Sequence, residues 1–97
     1  MKILLATVKP FAPVAVNQIR EVIESAGSKL DLLENYRNNS ELLSAVSDVD
    51  GLIVRSDMVT AQVLDAAKKL RIVIRAGVGY DNLDLEACTN KKVIAMN

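Results

Sequence analysis

Apolar residues in this chain switch between two spacings from end to end. Short apolar runs stand at Ile3-Leu4-Leu5-Ala6, Leu30-Asp31-Leu32-Leu33, Gly51-Leu52-Ile53-Val54, Ile72-Val73-Ile74 and Val93-Ile94-Ala95-Met96. Runs this short, bounded by polar residues, suit strands covered on both faces. Between them the spacing becomes helical. Over 13–26, Val16, Ile19, Ile23 and Ala26 form one stripe, with Pro13 in the first turn and Gly27 just past the end. Ser40 is placed to cap a helix that buries Leu42, Leu43 and Val46. Thr60 is placed to cap one with Val63, Leu64 and Ala67 inward and Asp65, Lys68 and Lys69 outward. Asp84 is placed to cap a short helix through Cys88, with Cys88 on the inward side beside Leu85.

Strand–helix alternation predicts a parallel sheet joined by crossovers. No Asn-Gly or Asp-Gly hairpin turn competes, because Asp50-Gly51 only leads into a strand. The expected fold is α/β: a flavodoxin-like, doubly wound, five-stranded parallel sheet in the order 2-1-3-4-5. The 97 residues make one domain. In that strand order one sheet face is covered by the first helix alone. A further helix, from later in a longer chain or from a partner, is expected to complete it.

Composition narrows the chemistry. The chain has no histidine and one cysteine, Cys88. That removes His-based acid–base work, Ser-His and Cys-His nucleophile pairs, and cysteine-metal clusters, and no metal is expected. A lone thiol fits a reducing, cytoplasmic setting, and Cys88 reads as a buried, inert one. Twelve basic residues balance twelve acidic ones. That balance, with few aromatics and no Trp, argues against a nucleic-acid partner. No apolar run approaches the ~18–20 residues of a membrane span, so no membrane partner is expected. Asp48, Asp50 and Asp57 are too irregularly spaced for a calcium loop, and Lys68-Lys69 and Lys91-Lys92 read as solvated faces.

Ligands of open α/β sheets gather at the carboxyl ends of the strands. Here strand one ends Thr7-Val8-Lys9-Pro10, strand three Arg55-Ser56, and strand four Arg75-Ala76-Gly77-Val78-Gly79. Strands three and four are neighbours in the expected order. Two arginines and a glycine-rich turn therefore share one edge. Guanidinium groups fork onto carboxylate or phosphate oxygens, and glycine lets backbone N–H groups approach an anion. A site for a small anion is one reading; pairing of each arginine with Asp57 or Asp81 is the other. Ser56 alone reads as a turn residue rather than a nucleophile, and Tyr80 as packing. The run from Gly77 to Asn82 shows the first two glycines of a dinucleotide fingerprint, but Asn82 stands at the third. The acidic residue needed about twenty positions on is also missing, so a dinucleotide site in this stretch is not expected.

Gly51-Leu52-Ile53-Val54-Arg55-Ser56, then Thr60, Val63-Leu64, the run Arg75-Ala76-Gly77-Val78-Gly79-Tyr80-Asp81-Asn82-Leu83-Asp84-Leu85-Glu86-Ala87, and Met96-Asn97 together resemble the N-terminal half-domain of the D-2-hydroxyacid dehydrogenases. The likeness is greatest to the phosphoglycerate-oxidising branch of that family, strong from about Asp48 onward and looser before. The resemblance implies a substrate-binding domain followed, soon after Asn97, by a Rossmann domain that binds NAD. The catalytic His, Glu and Arg would lie in that second domain, leaving none here and this part inactive alone. Arg55 and Ser56 would face the substrate phosphate, with Arg75 a second basic residue. The backbone of Ala76, Gly77, Val78 and Gly79 would meet the substrate carboxylate, and Val78 would approach the nicotinamide. The implied partner is a small anionic 2-hydroxy acid, with 3-phosphoglycerate oxidised to 3-phosphohydroxypyruvate in serine biosynthesis, by a homo-oligomer. Asp57-Met58 departs from many relatives in being acidic, and Cys88 stands in place of an alanine. Acidic pockets of a phosphorylation receiver and the glycine loop of a flavodoxin are both missing after strand one. A stand-alone small-anion-binding or regulatory module is the alternative.

Overall fold

A computed structural model describes residues 1–76, 79 and 81–97. Its elements are β1 (Lys2–Thr7), α1 (Pro13–Ser25), β2 (Lys29–Glu34), α2 (Asn39–Ala45), β3 (Gly51–Val54), α3 (Ala61–Ala66), β4 (Ile72–Arg75), α4 (Leu85–Asn90) and β5 (Ile94–Met96). The five strands form one sheet in the order β2-β1-β3-β4-β5, parallel throughout. This is the α/β topology that the alternation of spacings predicts.

Local chemistry sets the element ends. Pro13 opens α1, where its missing N–H costs nothing, and Gly27 leaves it at φ 83°. Thr60 and Asp84 cap α3 and α4 as expected, accepting from the Val63 and Ala87 N–H groups. The α2 cap differs from the sequence reading. Asn38, not Ser40, caps it, and Glu41 reaches back to the Asn38 N–H to close a capping box. The box takes up two orphan backbone donors at once, which Ser40, two residues on and already inside α2, does not.

Alternation along the strands divides the core in two. Leu4, Ala6, Leu52, Val54 and Val73 face α2, α3 and α4 and meet Leu42, Val46, Val63, Leu64 and Cys88. Leu5 and Leu30 face the other way and meet Val16 of α1, with Ile3, Ile19, Ile23 and Ile53 partly covered. Leu85 is exposed, while Cys88 is buried in the core with Ala87 partly packed against it. Burial pushes the Cys88 thiol above its ordinary range, and nearby Asp84 adds to this. Gly51 separates Ile3 from Ile72 across three strands. A Cβ there would meet Ile3 Cδ1 at 2.6 Å.

Among the described residues, α1 is the only helix on its face. It covers β2 and β1 but not the far strands. Val73 and Ala95 pair in register and pack on the three-helix side, so Ile72, Ile74, Ile94 and Met96 point to the α1 side. Ile94 is 61% exposed and Met96 47%. An apolar groove runs between Ile19, Val22 and Ile23 of α1 and Ile3, Ile53 and Ile74 of the sheet.

Candidate functional site

Parallel register brings three strand ends to one level. Ala6 pairs with Val54, and Val54 with Arg75. The next residues, Thr7, Arg55 and Ala76, therefore stand at one level, with Thr7 still paired to Glu34 of β2. A cleft of about 130 Å³ opens between the β1 and β3 ends, lined by Thr7, Val8, Lys9, Arg55, Ser56 and Asp57. Sites that bury a whole small ligand usually enclose ~300–1,000 Å³. This cleft is smaller than that and has room for a small group only.

The cleft is lined by two cations, Lys9 and Arg55, two hydroxyl residues, Thr7 and Ser56, and the Asp57 carboxylate. Arg55 lies with its guanidinium carbon 5.2 Å from the centre of the Phe11 ring. That stacking holds the planar fork without using its N–H donors. Among the described residues, no carboxylate lies within ion-pair distance of Arg55, so pairing with Asp57 or Asp81 is not what orients it. Thr7, fully buried, turns its hydroxyl onto the Lys9 carbonyl at 2.5 Å and shapes the β1 turn. Ser56 is exposed.

Arg75, Ala76 and Gly79 do not line this cleft. Residues in register share a face and successive residues alternate, so Arg75 leaves with Val54 while Arg55 leaves opposite. Arg75 instead donates Nε to the Arg55 carbonyl at 3.2 Å. Gly79 has φ 87°, and a Cβ on it would sit 3.4 Å from Arg75 Nη1. Glycine therefore serves both the left-handed backbone and the approach of the arginine. Gly77, Val78 and Tyr80 lie outside the described residues.

Asp57 and Asn82, neither chosen as a site residue from the sequence, organise the cleft. Asp57 is buried, and its Oδ2 accepts the Val8 N–H at 3.0 Å and the Tyr36 hydroxyl. Asn82 is buried, and its Nδ2 donates to the carbonyls of Asp57 at 2.7 Å and Arg55 at 3.1 Å. The residue that breaks the dinucleotide fingerprint thus ties down the Arg55 turn. The β4 loop also pairs with the β3 loop through Val59 and Leu83, with the Val59 N–H on the Asn82 carbonyl at 2.8 Å.

Burial, then the hydrogen bond and charge of Asp57, hold Tyr36 protonated well above its ordinary 10.0. A raised native pKa means the native state keeps a proton that the unfolded state loses. The stabilisation is therefore complete below about pH 10 and declines as pH rises beyond it. Tyr36→Phe is expected to flatten the fall of Tm between about pH 9.5 and 11. Parallel Tm curves for the two proteins would count against this.

The profile described as "D-isomer specific 2-hydroxyacid dehydrogenase, catalytic domain" matches residues 5–97. The chain belongs to this family. Among family members, it is 46% identical over 79 residues to D-3-phosphoglycerate dehydrogenase of Sus scrofa, covering 80% of this chain and 15% of that one. It is 50% identical over 58 residues to D-3-phosphoglycerate dehydrogenase of Methanocaldococcus jannaschii, covering 59% of this chain and 11% of that one. The crystal structure of NAD+-bound 3-phosphoglycerate dehydrogenase from Entamoeba histolytica superposes with a TM-score of 0.98 at 44% identity. It covers all of this chain, which spans 32% of that one. The chain thus spans about a seventh of the curated relatives' length. In this family member, Arg55 and Ser56 share the cleft, with Arg75 bound to the back of the Arg55 turn. Among the described residues no group of acidic, Cys or His side chains could hold a metal ion, and no helix is long and apolar enough to cross a membrane.

Proposed function

We propose that this chain is the substrate-binding domain of a longer NAD-dependent D-2-hydroxyacid dehydrogenase that oxidises 3-phosphoglycerate to 3-phosphohydroxypyruvate. The observation that carries this reading is the cleft itself. Arg55, held on Phe11 with no carboxylate partner among the described residues, and Lys9 place two cations beside the Ser56 turn. Such a cleft suits a phosphoryl group, whose oxygens accept from a guanidinium fork. The printed identities of the relatives point to the same substrate.

In this reading the labour is divided. The Arg55–Ser56 turn takes the phosphate, and the backbone of Ala76, Gly77, Val78 and Gly79 meets the carboxylate. A following Rossmann domain binds NAD and supplies the catalytic His, Glu and Arg, with Val78 at the border of the nicotinamide. Asn82, at the third position of the dinucleotide fingerprint, is committed to two backbone carbonyls, which supports a cofactor held elsewhere. A helical segment from beyond Asn97 covers Ile72, Ile74, Ile94 and Met96, whose exposure supports the idea that the domain is completed elsewhere. The full-length enzyme is a cytoplasmic homo-oligomer that binds neither nucleic acid nor membrane.

The test is a panel of 2-hydroxy acids assayed with the full-length protein and NAD. Reduction of NAD is expected with 3-phosphoglycerate at a kcat/KM at least ~10-fold above unphosphorylated acids, the effect of about one phosphate contact. A preference for an unphosphorylated acid would overturn the phosphate assignment. No turnover with any member of the panel would favour a small-anion-binding or regulatory module.

A further inference from the structure

The buried carboxylate of Asp57 stands beside a cleft assigned to an anion, where its charge has the wrong sign for capture. Its surroundings explain what it does there. One oxygen, Oδ2, accepts from the Val8 N–H at 3.0 Å and from the Tyr36 hydroxyl. Val8 belongs to the β1 turn, and Tyr36 to the segment between β2 and α2. The backbone carbonyl of Asp57 accepts from Asn82, which follows β4. Chain segments leaving four strands therefore meet at this residue. The two walls of the cleft, Thr7–Val8–Lys9 and Arg55–Ser56–Asp57, are joined by the Asp57 side chain.

We propose that Asp57 is a positioning residue for the anion site, setting the separation of the β1 and β3 turns and so the place of Arg55 and Ser56. Asp57 itself lines the cleft, but its Oδ2 is taken up by the Val8 N–H and the Tyr36 hydroxyl, so its role is to act through the Arg55–Ser56 turn. The proposal rests on the reading that this cleft receives the anionic group of the substrate. A carboxylate suits the task because one oxygen can accept two donors at once, and hydrogen bonds to a charged acceptor are the stronger kind. Both donors come from outside β3, so losing the acceptor frees the β1 turn from the β3 turn. It also leaves the Val8 N–H without its partner. The asparagine variant retains an oxygen that can accept both, whereas the alanine variant retains none.

The experiment compares Asp57→Ala, Asp57→Asn, Tyr36→Phe and Arg55→Ala in the full-length enzyme. The readouts are KM for 3-phosphoglycerate, KM for NAD, and kcat. Asp57→Ala is expected to raise the substrate KM about tenfold, with kcat and the NAD KM within about twofold, as if about one charge-assisted bond from the displaced Arg55 to the anion were lost. Asp57→Asn is expected to stay within about threefold of the parent and Tyr36→Phe to rise about two- to threefold. If Arg55→Ala raises the substrate KM and Asp57→Ala does not, the positioning role is overturned and the anion site stands. If neither raises it, the anion site is overturned and the positioning role with it. A lowered KM in Asp57→Ala would show a repelling charge instead of a clamp. Equal losses in Asp57→Asn and Asp57→Ala, or a parallel change in the NAD KM, would also overturn the proposal. Should Asp57→Ala fail to fold, Tyr36→Phe decides: an unchanged substrate KM there overturns it.

Discussion

Replacing Arg55 by Ala in the full-length enzyme is expected to raise KM for 3-phosphoglycerate by one to two orders of magnitude. Each charge-assisted hydrogen bond contributes ~1.5–3 kcal/mol, and ~1.4 kcal/mol is a factor of ten. A guanidinium fork can give a phosphoryl group two such bonds. The side chain already rests on Phe11, and no carboxylate among the described residues competes for its donors. Little rearrangement is then needed on binding. Arg55→Lys keeps the charge but loses the fork, so an intermediate KM is expected. KM for NAD should not move in either variant. The loss should also be smaller for an unphosphorylated 2-hydroxy acid. Steady-state kinetics on the two substrates check all of this. An unchanged KM would mean that Arg55 only packs on Phe11.

The second large effect is on stability. Asn82→Asp is nearly isosteric but exchanges a donor for an acceptor. Asn82 Nδ2 faces two backbone carbonyls, those of Asp57 and Arg55, at a site only 6% exposed. A carboxylate there meets those oxygens with no proton to offer. An uncompensated buried charge typically costs about 3–5 kcal/mol, and about 1 kcal/mol shifts Tm by ~4–8 °C in a domain of this size. A fall of Tm by ~12 °C or more at neutral pH is therefore expected. Burial raises the native pKa of the new carboxyl above its unfolded ~3.9. The penalty is then largest at high pH and shrinks as pH falls through the native pKa, where the protonated group regains one O–H donor. Thermal unfolding at about pH 5 and about pH 7.5, the lower closer to the protonated form of a raised carboxyl and the higher closer to the ionised form, measures the gap to the parent protein. A gap that does not narrow at the lower pH would mean that the donors of Asn82 are not what holds the turn.

Most of the fold was legible because it rests on short-range pattern. The switch between apolar runs and helical spacing located all nine elements. Thr60, Asp84 and Pro13 marked helix starts through chemistry local to each residue. The α2 cap was misplaced because Ser40 and Asn38 are both good caps. Only the reciprocal bond from Glu41 to the Asn38 N–H chooses between them. The candidate cleft was legible in part. Arg55 and Ser56 were named because strand ends are where ligands of such sheets gather, and both line it. Arg75 sits at the same level, yet the pleat turns it away from Arg55 and onto the carbonyl behind. Lys9 was in view at the end of β1, but nothing local to it indicated a shared cleft.

The sequence by itself determined the architecture, the exclusion of histidine chemistry from these 97 residues and the family. Each follows from residue types and their spacing along one chain. The balanced charge total hid local polarity that tertiary structure separates. Lys2 pairs with Asp48 at 2.9 Å and Asp31 at 3.4 Å, near the start of β1, while Lys9 and Arg55 stand at the opposite end. Tertiary structure alone decided the roles of Tyr36, Asp57, Asn82 and Phe11. Each acts on a partner many residues away, where a hydrogen bond or ring contact depends on which strand ends the sheet brings side by side.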